Sequence, residues 1–87
     1  MKQTQQVHKL SDLKPGQSAV ITGFNEEKVP LKMLEMGLLP GNKVLVKRIS
    51  PLGDPIHIRV VGFDLALRKE EAALVKVDEV LKEKTGV

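Results

Sequence analysis

Apolar and polar residues alternate most cleanly over residues 63–68, where Phe63, Leu65 and Leu67 fall on one side and Asp64, Ala66 and Arg68 on the other. A period of two marks a half-buried strand, so the pattern predicts a strand here with the three large apolar residues inward. Just upstream, Ile56, Ile58 and Val60 alternate with His57 and Arg59, and residues 42–50 alternate more loosely, with Val44 and Val46 on one side and Leu45, Lys47 and Ile49 on the other. These two runs flank the turn-forming stretch Pro51-Leu52-Gly53-Asp54-Pro55 and are expected to pair as a hairpin, with Gly62 marking a bend or bulge into the next strand. The β-branched run Val20-Ile21-Thr22, closed by Gly23, predicts a strand over residues 17–24, and residues 74–77 predict a last short one.

Between the strands the period changes. Leu10 and Leu13 lie three apart with Ser11 and Asp12 as local caps, which reads as one helical turn reversed by Pro15-Gly16. Pro30 suits the first position of a helix and Gly37 the position just past its end, so a two-turn helix is expected over residues 30–36. Leu31 and Leu34, continued by Leu38, share one face that should be core. Met33 and Met36 would then point the other way, toward a second apolar layer or toward a partner. Residues 69–72 favour a further single turn.

The polar residues 1–7 are expected to be a flexible leader and residues 80–87 a flexible tail, leaving one domain over residues 8–79. About five short strands with one or two short helices make the fold mainly β, and a small closed or nearly closed β-barrel is the architecture that best hides its own edges.

At 87 residues the chain has room for one core. It has no cysteine, which removes disulfides, thiolate metal sites and cysteine nucleophiles together. The 14 Lys and Arg are interspersed with 11 acids, so the net charge of +3 implies no more than a mild preference for acidic partners. There is no secretory h-region and no apolar run near the length of a membrane span, so a soluble, cytoplasmic protein is expected.

Chemistry-bearing constellations are sparse. No phosphate-cradling loop, nucleophile elbow or zinc-protease motif occurs, and His57 with Asp54 in a turn does not amount to a catalytic set, so no enzymatic activity is expected. His8 and His57 are too few for a ferrous site, so neither a metal site nor a cofactor is expected. With Phe24 and an inward Phe63 as the sole aromatics, at most one base-stacking platform remains, and nucleic acid is not an expected partner.

Three stretches in order, LSDLKPGQSAVI at 10–21, LKMLEMGLLPGNKVLV at 31–46 and PLGDPIHIRVVGFDLALRKEEAALVKV at 51–77, resemble the FeoA family pattern: a leucine-rich opening turn, a helix ending in Gly-Leu before a Pro-Gly turn, and a Gly-Asp-Pro turn leading to a strand and an "aLR..eA" ending. The resemblance implies an SH3-like barrel, cytoplasmic, acting with FeoB, the membrane protein that carries a GTP-binding domain and imports ferrous iron. The same fold is similar to the C-terminal domain of iron- or manganese-dependent repressors. Only about ten residues precede Leu10, so no helix-turn-helix is expected ahead of the barrel.

The expected role is therefore that of an accessory of ferrous-iron uptake that docks on the FeoB transporter and regulates it. The helix and its following turn are the expected docking face, with Met33, Met36 and Leu39 as apolar anchors and Lys28, Lys32 and Glu35 as the charged rim. Self-association through an open strand edge is compatible with the same pattern. A stand-alone barrel that senses a transition metal or binds nucleic acid is the alternative.

Overall fold

The structure is a computed structural model that describes residues 8–82, and the side chains of residues 8–78. Six strands form one antiparallel sheet: β1 His8–Lys9, β2 Gln17–Phe24, β3 Lys43–Ile49, β4 Ile56–Val60, β5 Phe63–Leu67 and β6 Val75–Lys82. A 3-10 turn at Leu10–Asp12 and two short helices, α1 Leu31–Glu35 and α2 Lys69–Ala72, complete the described residues. The strand order is β1-β6-β2-β3-β4-β5, so β2 lies in the middle of the sheet and β1 and β5 are its two ends. The mainly β expectation holds. The additional strand, β1, has two residues and no alternation to announce it; it exists because His8 and Lys9 meet Val77 and Lys76 of β6.

Two irregularities let one long strand serve two neighbours. The β2–β6 register shifts between Ser18 and Val20 and again between Ile21 and Gly23, and such bulges bend a strand and increase its twist. The third is in β3, between Val46 and Arg48. Simple alternation had put Ile49 on the side opposite Val44 and Val46; the bulge at Lys47 returns it to their side, where it pairs with buried Ile56 and packs on the core. Lys47 and Arg48 both end up outward.

The inner face carries a continuous core that includes Ile21, Val44, Val46, Ile58, Val60, Leu67, Val75 and Val77. The 3-10 turn adds Leu10 and Leu13, and the stretch around α1 adds Met33 and Leu38. Burying a side chain of this size contributes about 1.5–3 kcal/mol, which is how a chain of one small domain offsets its ordering entropy.

The helix between β2 and β3 is rotated relative to expectation. Leu31 is 65% exposed, Leu34 is half-buried, and Met33 is fully buried. The cause is length: α1 has five residues rather than seven, Pro30 caps it in an extended conformation, and a single turn turns Met33 and Leu38 inward together. The Leu38 N–H donates to the Met33 carbonyl at 3.2 Å, closing that turn. Phe63 is also corrected. It lies on the inward side of β5, opposite buried Val60, yet it is 64% exposed because, among the described residues, β5 is an end strand with no further strand beside it.

Strand β6 carries its ladder past residue 79, since Leu81 and Lys82 pair with Ser18 and Gln17 at the start of β2. Pairing of this kind needs backbone groups alone, which is why a polar tail can join it. The expectations for residues 1–7 and 83–87 lie outside the described residues. Among the described residues no helix is long and apolar enough to cross a membrane.

Candidate functional site

Two turns meet beside the open end of the sheet. The first follows α1: Gly37 takes φ +96°, a conformation that favours glycine, and its carbonyl accepts from Asn42 Nδ2 at 2.8 Å. The same loop is fastened to β2, where Gly41 N–H donates to the Ile21 carbonyl at 2.7 Å and Ile21 N–H to the Asn42 carbonyl at 2.9 Å. The second is the two-residue turn Val61-Gly62 joining β4 to β5, with φ +53° and +82°. Positive φ at both centres is the mirror-image turn that suits hairpin twist, normally occupied by Asn-Gly. A β-branched residue in the first place is strained by roughly 1–2 kcal/mol.

These turns bound a groove of about 360 Å³ lined by Met36, Gly37, Val61, Phe63 and Leu65, with Glu35 and Asp64 at its rim. Its walls are apolar and partly exposed: Val61 is 57% and Phe63 64% exposed, while Met36 and Leu65 are half-buried against the core. An open apolar surface of this kind, rimmed by charge, suits an apolar side chain of a partner better than a polar small molecule.

The anticipated residues divide accordingly. Met36 and Glu35 stand in the groove, and Leu39, 42% exposed, lies in the loop beyond Gly37. Lys28 is exposed in the connection before α1. Met33 is corrected: its side chain is core and offers nothing to a partner. Lys32 holds Glu71 at 2.9 Å and so ties α1 to α2. Glu71 also accepts from the Arg68 N–H at 2.9 Å, and its carboxyl is held below the usual range first by Lys32 and then by that N–H. Sequence reasoning missed Val61, Phe63 and Leu65 as groove residues; the one available signal was a valine placed directly before Gly62 where a hairpin turn was due.

On the outer face of the same strands, Asp64 binds Arg59 Nε at 2.8 Å and Lys47 Nζ at 3.2 Å. Arg59 first, then Lys47, hold its carboxyl down at about 2. His57 Nε2 lies 3.4 Å from Ser50 Oγ, and Asp54 Oδ1 accepts from the Lys69 N–H at 2.9 Å at the start of α2. Asp54 and His57 therefore have separate partners rather than one another. Among the described residues no three His, Cys, Asp or Glu side chains converge.

Comparison with known proteins decides the family. The FeoA domain model matches residues 8–79, nearly the whole described chain. The chain belongs to the FeoA domain family. It is 35% identical over 79 residues to the Fe(2+) transport protein A/Fe(2+) transporter FeoB fusion protein of Porphyromonas gingivalis, a match covering 90% of this chain and 9% of that protein. The chain thus spans under a tenth of that relative, in which an FeoA segment and the transporter share one polypeptide. A FeoA-like protein from Clostridium acetobutylicum superposes with a TM-score of 0.78 at 31% identity, covering 98% of each chain. The Stenotrophomonas maltophilia FeoA, a procaryotic SH3 domain protein crystallised with zinc, superposes with a TM-score of 0.71 at 29% identity, covering 82% of this chain and 89% of that one. The FeoA domain described here accordingly has the SH3-like fold, and its family serves ferrous iron transport.

Proposed function

We propose that this FeoA domain is a cytoplasmic, non-catalytic accessory that docks on the FeoB-type transporter through the groove between α1 and the Val61-Gly62 turn and regulates iron import. The observation that carries the reading is the exposed apolar pair Val61 and Phe63 set opposite Met36, in a family with one member fused to the transporter. Leu39 extends the apolar surface, Glu35 and Asp64 form the rim, and Lys32 keeps α1 in place through Glu71. A fusion is informative about strength: tethering makes the partner's effective concentration about millimolar, so a groove of this size needs little intrinsic affinity there. Regulation then requires only that one state of the transporter binds the groove better than another.

The test is calorimetric titration of the chain into detergent-solubilised FeoB of the same bacterium, with Phe63→Ser and Met36→Ala as variants. Binding weakened about tenfold or more by either supports the groove, since truncating a central apolar anchor costs over about 1 kcal/mol. Binding unchanged by both places the contact elsewhere, and no binding in any nucleotide state removes the docking reading altogether.

A further inference from the structure

Adjacent residues of a regular strand point to opposite faces, which would send Arg48 inward after an outward Lys47. The register shift between Val46 and Arg48 prevents this, and both side chains are exposed on the outer face. There Arg48 lies directly across from His57 on β4, and His57 across from Ala66 on β5. One row across three strands thus carries two nitrogen-bearing side chains and ends in a methyl group. Beside it is a hollow of about 530 Å³ with Lys47, Arg48, His57, Asp64 and Ala66 in its lining.

The charges of this hollow are unbalanced. Asp64 is its one carboxylate, and Arg59 holds it by two nitrogens, Nε at 2.8 Å and Nη2 at 3.3 Å. That fork compensates Asp64 by itself, so Lys47, which reaches the same carboxylate at 3.2 Å on an exposed flexible stem, can turn to another anion at little cost. Arg48 makes no ion pair and no side-chain hydrogen bond among the described residues. His57 Nε2 faces Ser50 Oγ at 3.4 Å, and Asp54, the acid nearest to it in sequence, is committed to the Lys69 N–H. Three cations, Lys47, Arg48 and Arg59, therefore stand against one carboxylate, an excess of two positive charges before His57 is counted.

We propose that this hollow binds a phosphoryl group, with the Arg48 guanidinium forked onto two of its oxygens, Lys47 supplying a point charge and His57 a ring N–H. An excess of two positive charges suits a dianion better than a single carboxylate, and the planar guanidinium matches two phosphoryl oxygens at once. A hollow of this volume has room for more than one phosphate, so the group is carried by a larger molecule, either a soluble diphosphate or the headgroup of an anionic lipid. The site is separate from the groove beside α1, since Arg48, His57 and Ala66 line the hollow and not the groove.

Two probes test this and separate the sources. Pyrophosphate is titrated into the full chain at low salt and followed by two-dimensional NMR, and the chain is sedimented with vesicles of phosphatidylcholine, either pure or with about a third phosphatidylglycerol. A soluble ligand predicts saturable shifts centred on Arg48, His57 and Ala66 with a dissociation constant of about 1 mM or below, whereas a lipid headgroup predicts co-sedimentation with the anionic vesicles alone. Arg48→Gln should weaken whichever binding is seen about tenfold. Ala66→Leu, which fills the hollow without changing any charge, should weaken it as far. Lys14→Gln, which removes the same charge from an exposed position outside the hollow, should change it less than about twofold. The spectra report whether each variant is folded, and Arg48→Gln against Lys14→Gln remains decisive if Ala66→Leu disturbs β5. No binding of either probe, binding that falls equally with Arg48→Gln and Lys14→Gln, or binding that ignores Ala66→Leu in a folded chain overturns the proposal.

Discussion

A side chain on Gly37 would run into Val61, since a Cβ built there lies 3.0 Å from Val61 Cγ2. Two turns far apart in sequence thus approach closely through the absence of a side chain, and both residues line the groove. Gly37→Ala meets two costs, the left-handed conformation at φ +96° and the collision with Val61. The expected loss is about 2 kcal/mol, read as a lower urea midpoint at unchanged slope. A loss of a few tenths would mean that the two turns separate easily.

The opposite sign is expected at Val61. Replacing it with Asn keeps φ +53° in a residue that tolerates it and restores the usual Asn-Gly hairpin turn, so Val61→Asn should stabilise the chain by about 1 kcal/mol. The same substitution removes an apolar wall of the groove and should weaken FeoB binding. Higher stability together with weaker binding is the combination that identifies Val61 as a residue held in strain for its surface. Higher stability with unchanged binding would leave it a packing residue.

The two methionines separate fold from docking. Met33 is fully buried and Met36 half-buried, so Met33→Ala should cost about 2–5 kcal/mol by thermal or chemical denaturation, whereas Met36→Ala should cost markedly less. Binding tests that combine the two would report unfolding rather than recognition. Equal losses at the two positions would contradict the rotation of α1 seen here.

What the chain's pattern revealed and what it hid follow from how local each signal is. Strict alternation in Ile56–Val60 and Phe63–Leu67 located β4 and β5, because a period of two needs no knowledge of neighbours. The position of Gly37 after α1 was legible for the same reason. The face of α1 was not: five residues make barely more than one turn, too few for the period of 3.6 to select between Leu31 and Met33. The bulge at Lys47 and the exposure of Phe63 are tertiary facts, set by what pairs with β3 and by the place of β5 at the end of the described sheet. The groove, built from residues about 25 positions apart, needed both.

The Gly-Asp-Pro turn has a structural use in α2. Asp54 Oδ1 accepts from the Lys69 N–H at 2.9 Å, one of the first-turn donors that a helix cannot satisfy itself. Asp54→Ala should cost about 1 kcal/mol, and Asp54→Asn, which keeps an acceptor oxygen, should recover most of it. Equal losses for both would locate the effect in the turn rather than in the cap.

Acid should act on the outer face of β4 and β5. The Asp64 carboxyl titrates at about 2 in the folded chain because Arg59 and then Lys47 donate to its oxygens, against 3.8 for the free group. A depressed folded value means that the ion cluster adds stability above the unfolded value, and that this contribution is lost as pH falls from 3.8 through about 2. Carbon-detected NMR titration should show the Asp64 carboxyl moving well below the free value, and Arg59→Ala should return it upward, further than Lys47→Ala does. The side chains are solvent-screened, so the accompanying change in unfolding midpoint should shrink as salt is added. An Asp64 carboxyl that titrates near 3.8 in the natural chain would mean that the cluster is open in solution, and the β5 edge would then carry an unrestrained charge.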